Sequence, residues 1–513
     1  MSKPAVASQQ ALTGGSLLAR NSVFNLIGQG IPLLVALFAI PLLIHGLGTD
    51  RFGVLTLVWM VIGYFSLFDL GLGRALTQLV AKKLGAGEEA QVPPLVWTAL
   101  VLMFVLGLLG VLVVSAISPW LVYSVLKIPE PLQAETLNAF YLLAASIPIV
   151  IVTAGLAGIL SALQRFGILN AIRIPMGIYS FLAPLLILPF SQSLFLVTAV
   201  LVIGRLVACG SYLAACLSTM PVLRSGFALR RAAIKPLFHF GAWMTVTNVI
   251  GPLMVYLDRF VIGAIVSVAA VAYYATPYEM VTKLWIIPSA IVAVLFPAFA
   301  ASYARDRDRT TLLFARGIKY VALALFPVTL VFTAFSYEGL RWWLGDEFAR
   351  HSAPVLQWLA IGVFTNSLAQ VFFALIQGVG RPDLTAKFHL LELAVYLPGL
   401  WWAIHHYGIL GAAIAWTARV AFDGILLFWL SSRFLGGNTV LFKRMGAGML
   451  AALGGLVMPL LADGLIPRAA MASSIMVVFV SVAWFAVLAP DERTRIQSGI
   501  GWLIRRRYGD VRQ

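Results

Sequence analysis

Ten charged residues stand inside apolar runs of the chain: Asp69, Arg74, Arg205, Asp258, Arg259, Glu279, Lys283, Glu392, Arg419 and Asp423. A lone charge at the centre of a bilayer costs at least ~2.5–3.5 kcal/mol, so such residues face a protein interior, a water-filled path or an interface. Buried arginines and lysines can hold anionic groups through charge-assisted hydrogen bonds. Buried carboxylates can carry a proton or bind a cation.

The spacing sorts these residues. Glu279 with Lys283, and Arg419 with Asp423, are four apart and share a helical face, so each pair can neutralise itself. Asp69 and Arg74 are five apart, roughly 140° around a helix, and must reach to other helices. Arg205 and Glu392 have no partner in their own runs. Asp258 and Arg259 come late in theirs, where an interfacial position would satisfy them as well as an interior one. Five bases against five acids leave the interior without a strong net sign.

Amides and one mixed face complete the set. Asn21, Asn25 and Gln29 form a stripe, and Asn366, Gln370 and Gln377 form another. Either stripe can bond neighbouring helices or donate to sugar hydroxyls. His389, Glu392 and Tyr396 share a face, as a proton relay or as a buried polar network. The candidate substrate path is therefore Asp69, Arg74, Arg205, Asn21, Asn25, Lys283, Arg419, Asn366 and Gln370; the candidate coupling residues are Glu392, His389, Glu279 and Asp423.

The elements that carry them are long apolar helices. The chain has 513 residues, of which 61% are hydrophobic and only 11% charged, with a mean hydropathy of +0.94; a soluble globule carries roughly a quarter charged residues. About fourteen spans are expected: 21–46, 52–81, 92–118, 138–162, 166–190, 194–218, 237–263, 268–302, 311–335, 353–378, 384–405, 409–433, 445–463 and 467–489. The long second and eighth can be tilted or broken. A β-barrel would need alternating segments of about ten residues, and these runs are continuous. The polar N-terminus lacks the short apolar core of a removable signal peptide. Cys209 and Cys216 are seven apart in one helix, about 10 Å, too far for a disulfide.

Charge sets the orientation. With the N-terminus cytoplasmic, the cytoplasmic segments collect 26 of the 36 Lys and Arg, so both ends are expected in the cytoplasm. The net charge of +16 is thereby topogenic and faces lipid headgroups, not nucleic acid. The longest polar break among the first twelve spans separates six helices from six. We expect an N-terminal lobe over 1–218, a cytoplasmic linker over 219–235, a C-terminal lobe over 236–433, and two extra helices with a basic tail over 434–513. The turns "HGLGTDRFGVLTLV" (45–58) and "GAIVSVAAVAYYAT" (263–276) rhyme between the halves. Two like-oriented lobes around a central cavity are a transporter plan.

Along the opening of that plan, Thr56, Trp59, Gly63, Ser66, Asp69, Gly73, Arg74 and Thr77 project to one arc. Leu57, Val61, Phe65, Leu72, Ala75 and Leu79 take the other. The "GLG" within it lets another backbone approach closely. No phosphate-binding loop, metal-ligand spacing or nucleophile triad is present in the sequence, which argues against an enzyme, an ATPase or a resident metal. The external segment "YEGLRWWLGDEFARH" (337–351) reads as a loop whose Trp342 and Trp343 form an interfacial belt.

The stretch 21–85, with its Asn-bearing first helix, Gly48, Arg51, Phe52 and Gly53 of a "G…RFG" turn, and then "DLGLGRA", resembles the opening of Wzx-type polysaccharide transporters. These belong to the multidrug/oligosaccharidyl-lipid/polysaccharide exporter superfamily. The resemblance implies an all-α, MATE-like fold and a flippase for undecaprenyl-pyrophosphate-linked oligosaccharide in the bacterial inner membrane. It further implies alternating access, coupling to H+ or Na+ and no other cofactor. Asp69 and Arg74 carry over as motif positions. A polysaccharide polymerase and glycosyltransferases would be partners in the same assembly process. A multidrug exporter of the superfamily, a membrane glycosyltransferase or polymerase on the same lipid carrier, and a non-catalytic scaffold stand as alternatives. The exporter would favour an acid-rich cavity, the enzyme a substantial loop with acids or histidines, and the scaffold no charge inside its spans.

Overall fold

In hydrocarbon a backbone must satisfy its own hydrogen bonds, and continuous apolar runs do so as helices. The computed structural model describes residues 31–32, 34–64, 72–85, 88–163, 165–224, 229–230, 234, 257–303, 306–436 and 439–494. Among the described residues the regular structure is helical. Ten runs are long and apolar enough to cross a membrane. They account for eleven of the expected spans, since 384–405 and 409–433 are two arms of one run. The other three, 21–46, 52–81 and 237–263, each extend over residues outside the described set.

In chain order the helices are α1 (Leu34–Leu47), α2 (Thr49–Tyr64), α3 (Leu72–Gly85), α4 (Val92–Trp120), α5 (Glu130–Ala162), α6 (Phe166–Ile187) and α7 (Leu194–Thr219). Then come α8 (257–265), α9 (Val268–Thr282), α10 (Ile286–Ser302), α11 (Arg307–Ala334), α12 (Ser336–Leu344) and α13 (Asp346–Gly378). The last three are α14 (Pro382–Phe434), α15 (Thr439–Val457) and α16 (Leu465–Val482).

Local sequence explains the boundaries. Prolines open α4 where its first amides need no partner. The Asp306 carboxylate accepts from the Arg309 amide at 2.8 Å and caps α11. A 3₁₀ turn over Lys283–Trp285 separates α9 from α10, the break allowed for in the long eighth span. In α14 the arms meet at Gly408, with φ 58° and ψ −139°, a conformation costly to a residue with a Cβ. The segment 337–351, expected as an external loop, is helical apart from Gly345. Gly345, with φ 90°, separates α12 from the start of α13. Trp342 is 88% exposed on α12, in keeping with a belt position.

The chain divides into two compact units, Met1–Thr276 with His389–Ala412, and Pro277–Phe388 with Ala413–Gln513. In the first, Gly53 sits against the Val268 carbonyl so closely that a Cβ would lie 1.9 Å from its oxygen. Phe52 is buried and meets Trp59 edge-on. Arg51 pairs with Glu135 at 3.6 Å, and Glu135 also accepts from the Leu194 amide at the start of α7. Each residue of the "RFG" turn thus has a packing task. A Cβ at Gly158 of α5 would meet the Gly73 carbonyl at 3.1 Å, so part of the "GLG" segment does admit a close neighbour. Leu57, Leu72 and Ala75, on the apolar arc, are fully buried in protein.

In the second unit α13 is the central helix. Phe299, Phe314, Phe326, Phe364 and Phe372 form its core with Leu325 and Val371. The last helix docks onto this core. Phe479 stacks on Phe326 at 4.4 Å, Arg468 pairs with Glu338 at 3.3 Å, and Lys319 pairs with Glu492 at 2.7 Å. Both cysteines are free thiols.

Candidate functional site

Within the first unit Asp258, Arg259 and Tyr274 form a buried charged cluster. Asp258 and Arg259 are enclosed by protein. Asp258 is 0% and Arg259 2% exposed. A short turn at 266–267 folds α9 back along α8, which brings Tyr274 to donate to Asp258 Oδ2 at 2.5 Å. The other carboxylate oxygen accepts from the Arg259 amide at 2.7 Å and from its Nη1 at 3.4 Å. The carboxylate is therefore bound on both oxygens, and the guanidinium has its counter-charge beside it.

The first arm of α14 shows the mixed face expected from its spacing. Glu392 and Tyr396 are buried, and His389 is half-buried. Leu390, Leu391 and Val395 are exposed on the opposite side. Tyr396 lies near enough to Tyr274 to interact with it electrostatically, so α14 and the Asp258 cluster belong to one polar region of this unit. Arg205 is half-buried in α7. Arg173 of α6, which is not among the ten charges read from the sequence, also lies inside a span.

Within the second unit Lys283 and Glu279 form the expected ion pair at 3.0 Å, both about half exposed (48% and 49%). Arg419 and Asp423 do not. Asp423 has no ion-pair partner among the described residues, and its buried Oδ1 accepts no hydrogen bond. Four-residue spacing permits such a pair, but side-chain packing decides whether it closes. Gln370 bonds Asn366 on its own helix at 3.5 Å, and both are half-buried.

The sequence reading missed Trp416. It is 1% exposed, packs edge-on to Tyr278 at 5.6 Å and lies 6.4 Å from Trp285. Gly362 makes room for its ring. Its indole N–H is buried without an acceptor among the described residues. The signal was a tryptophan three residues before Arg419 on the same face. Asn21, Asn25 and Asp69 lie outside the described residues, and Arg74 is placed on α3 as a backbone position only.

Ten apolar runs long enough to cross a membrane, with the buried Asp258–Arg259 pair among them, make this a polytopic helical membrane protein, and solved structures share its fold. An inward-facing multidrug resistance MATE family transporter matches with a TM-score of 0.70 at 14% identity, covering 82% of this chain and 99% of that one. The lipid II flippase MurJ in an inward closed conformation matches with a TM-score of 0.69 at 12% identity, covering 90% and 98%. The polysaccharide biosynthesis protein family profile matches residues 47–353. A Shigella flexneri protein named "Putative O-antigen transporter" is 32% identical over 421 residues, 81% of this chain and 98% of that protein. The chain belongs to the polysaccharide biosynthesis protein family, and its function is transport, not catalysis.

Proposed function

We propose that the protein flips undecaprenyl-pyrophosphate-linked oligosaccharide repeat units from the cytoplasmic to the periplasmic leaflet of the bacterial inner membrane. The observation that carries this reading is its similarity to the Shigella O-antigen transporter across 98% of that protein's length. In this reading the lobes 1–218 and 236–433 alternate access around a central path, with both termini cytoplasmic and a proton or sodium gradient as the driving force. Asp69, Arg74, Arg205, Asn21, Asn25, Lys283, Arg419, Asn366 and Gln370 contribute to the substrate path; Glu392, His389, Glu279 and Asp423 contribute to coupling. Buried Glu392 and Asp423 support the second group. The likeness to the MATE transporter is one of fold and brings no drug substrate with it.

The test is complementation. Expressed in a host deleted for its own O-antigen flippase, the chain is expected to restore surface glycan. Lipid-linked units that stay on the cytoplasmic leaflet, with the protein correctly inserted, would overturn the reading.

A further inference from the structure

The two turns whose sequences rhyme, 45–58 and 263–276, meet in the first unit. Gly53 of one lies against the Val268 carbonyl of the other, too close for any side chain to stand between them. The segment after α4 holds the second turn as well. The Lys127 amide donates to the Gly263 carbonyl at 2.9 Å, and the Lys127 ammonium donates to the Ile265 carbonyl. A Cβ on Gly263 would meet Leu126 at 2.9 Å. The last carbonyls of a helix lack amide partners in their own helix and carry its negative end. Lys127 therefore gives the end of α8 two donors and a matching charge.

Apolar residues flank these contacts. Phe52, Leu126, Ile128, Ile262 and Val268 are each at most 5% exposed, so the junction is a dry seam. Its edge is polar: Lys127 is exposed, and Arg51 next to Phe52 pairs with Glu135. In the orientation read from the charges, every one of these residues stands at or near the external end of its span. Gly53 and Lys127 belong to the sequence lobe 1–218, and Gly263 to Val268 belong to the lobe 236–433, yet all lie in one compact unit of the structure. Two lobes that alternate access must part at their external ends when the path opens outward. This seam is where they are joined, and a seam of backbone hydrogen bonds and close glycine contact either holds or breaks as a whole.

We infer that the seam of Gly53, Leu126, Gly263 and Val268 is the external gate of the transporter, closed in this structure, and that Lys127 is the positioning residue that latches it by holding the end of α8. The inference rests on the flippase reading and adds to it the residues that must separate before cargo leaves on the external side.

The test uses the full chain with Cys209 and Cys216 replaced by alanine. L126C and G263C are combined and expressed in the flippase-deleted host, with each single variant as a control. The pair is expected to form a disulfide, and surface glycan to fall at least about tenfold below that of the same cells given dithiothreitol. A cross-linked pair that exports as well as the reduced one overturns the gate, and a pair that forms no disulfide overturns the closed seam. The latch is measured without transport, by the rate at which a membrane-impermeant maleimide labels V268C in spheroplasts. K127M is expected to speed labelling by about fivefold, the loss of one charged hydrogen bond, and K127R to keep it slow. Equal labelling with and without K127M, in protein of equal thermal midpoint, overturns the latch. A parent chain that restores no glycan sinks the flippase reading, whereas cross-linking and labelling still decide whether the seam is closed and whether Lys127 holds it.

Discussion

Two charged pairs of similar chemistry behave differently at the level of single residues. Asp258 and Arg259 are adjacent in sequence and fully buried, with Tyr274 closing the second carboxylate oxygen. Removing one member of a buried pair strands the other charge, at about 3–5 kcal/mol, whereas losing one neutral donor costs about 1–3 kcal/mol. Asp258→Asn is therefore expected to lower the thermal midpoint in detergent more than Tyr274→Phe does. Adding Arg259→Gln to Asp258→Asn should recover part of the loss. A double variant less stable than Asp258→Asn would show that Arg259 has a stabilising role beyond its pairing with Asp258. The sequence marked both residues as charges in an apolar run. It could not place Tyr274 beside them, because that contact depends on where α9 folds back along α8. Nor could it separate Glu279–Lys283, which closes, from Arg419–Asp423, which does not.

Helix existence and length were readable at the element scale, since hydropathy alone dictates where backbone must be helical in lipid. Helix contacts were readable only where small residues announce them. The "RFG" turn shows how sharp such an announcement can be. At Gly53 a methyl group would press on the Val268 backbone carbonyl, which has no rotamer to yield. Gly53→Ala is expected to reduce the yield of folded protein strongly. Gly167→Ala, in α6 with nothing within 4 Å, should be neutral or stabilising, by up to about 1 kcal/mol from helix propensity. Fluorescence size-exclusion profiles of the two variants make the comparison. What the sequence hid was the docking of the last helix, which has no motif. Glu492, just beyond that helix, is bonded by Lys319 and by Tyr320, with the Ala489 amide as a further donor. These donors hold its carboxyl down to about 2, from the ordinary 4.5. A depressed folded-state pKa adds stability that is complete above about 4.5 and is lost as pH falls toward 2. Glu492→Gln should accordingly lower the thermal midpoint at pH 7, and the gap from wild type should narrow by pH 3. A gap that is the same at both pH values would remove the linkage.

A transporter must do work across the whole molecule, and its intramembrane acids are where a gradient can act. Composition and charge asymmetry were enough to read a many-helix membrane protein, and the opening motif was enough to read its family. The working cycle was not legible, because it depends on which charges meet in each state, and spacing along one helix says nothing of partners on another. Glu392 is the sharpest case. It is 4% exposed on a helix whose opposite face carries Leu390, Leu391 and Val395, so its burial comes from protein packing and not from chance orientation toward lipid. A carboxyl so placed can change protonation only when the cycle opens a route to it, which is the property a coupling residue needs. Replacing it with glutamine keeps the shape and removes the titration. Under proton coupling, reconstituted wild type is expected to transport faster with an inward-directed proton gradient, and Glu392→Gln to keep a basal rate that no longer responds to the gradient. An unchanged response in Glu392→Gln would move the coupling role to Asp423. Loss of the response in neither single variant nor in the double would point to sodium, which a parallel series with a sodium gradient at constant pH measures directly.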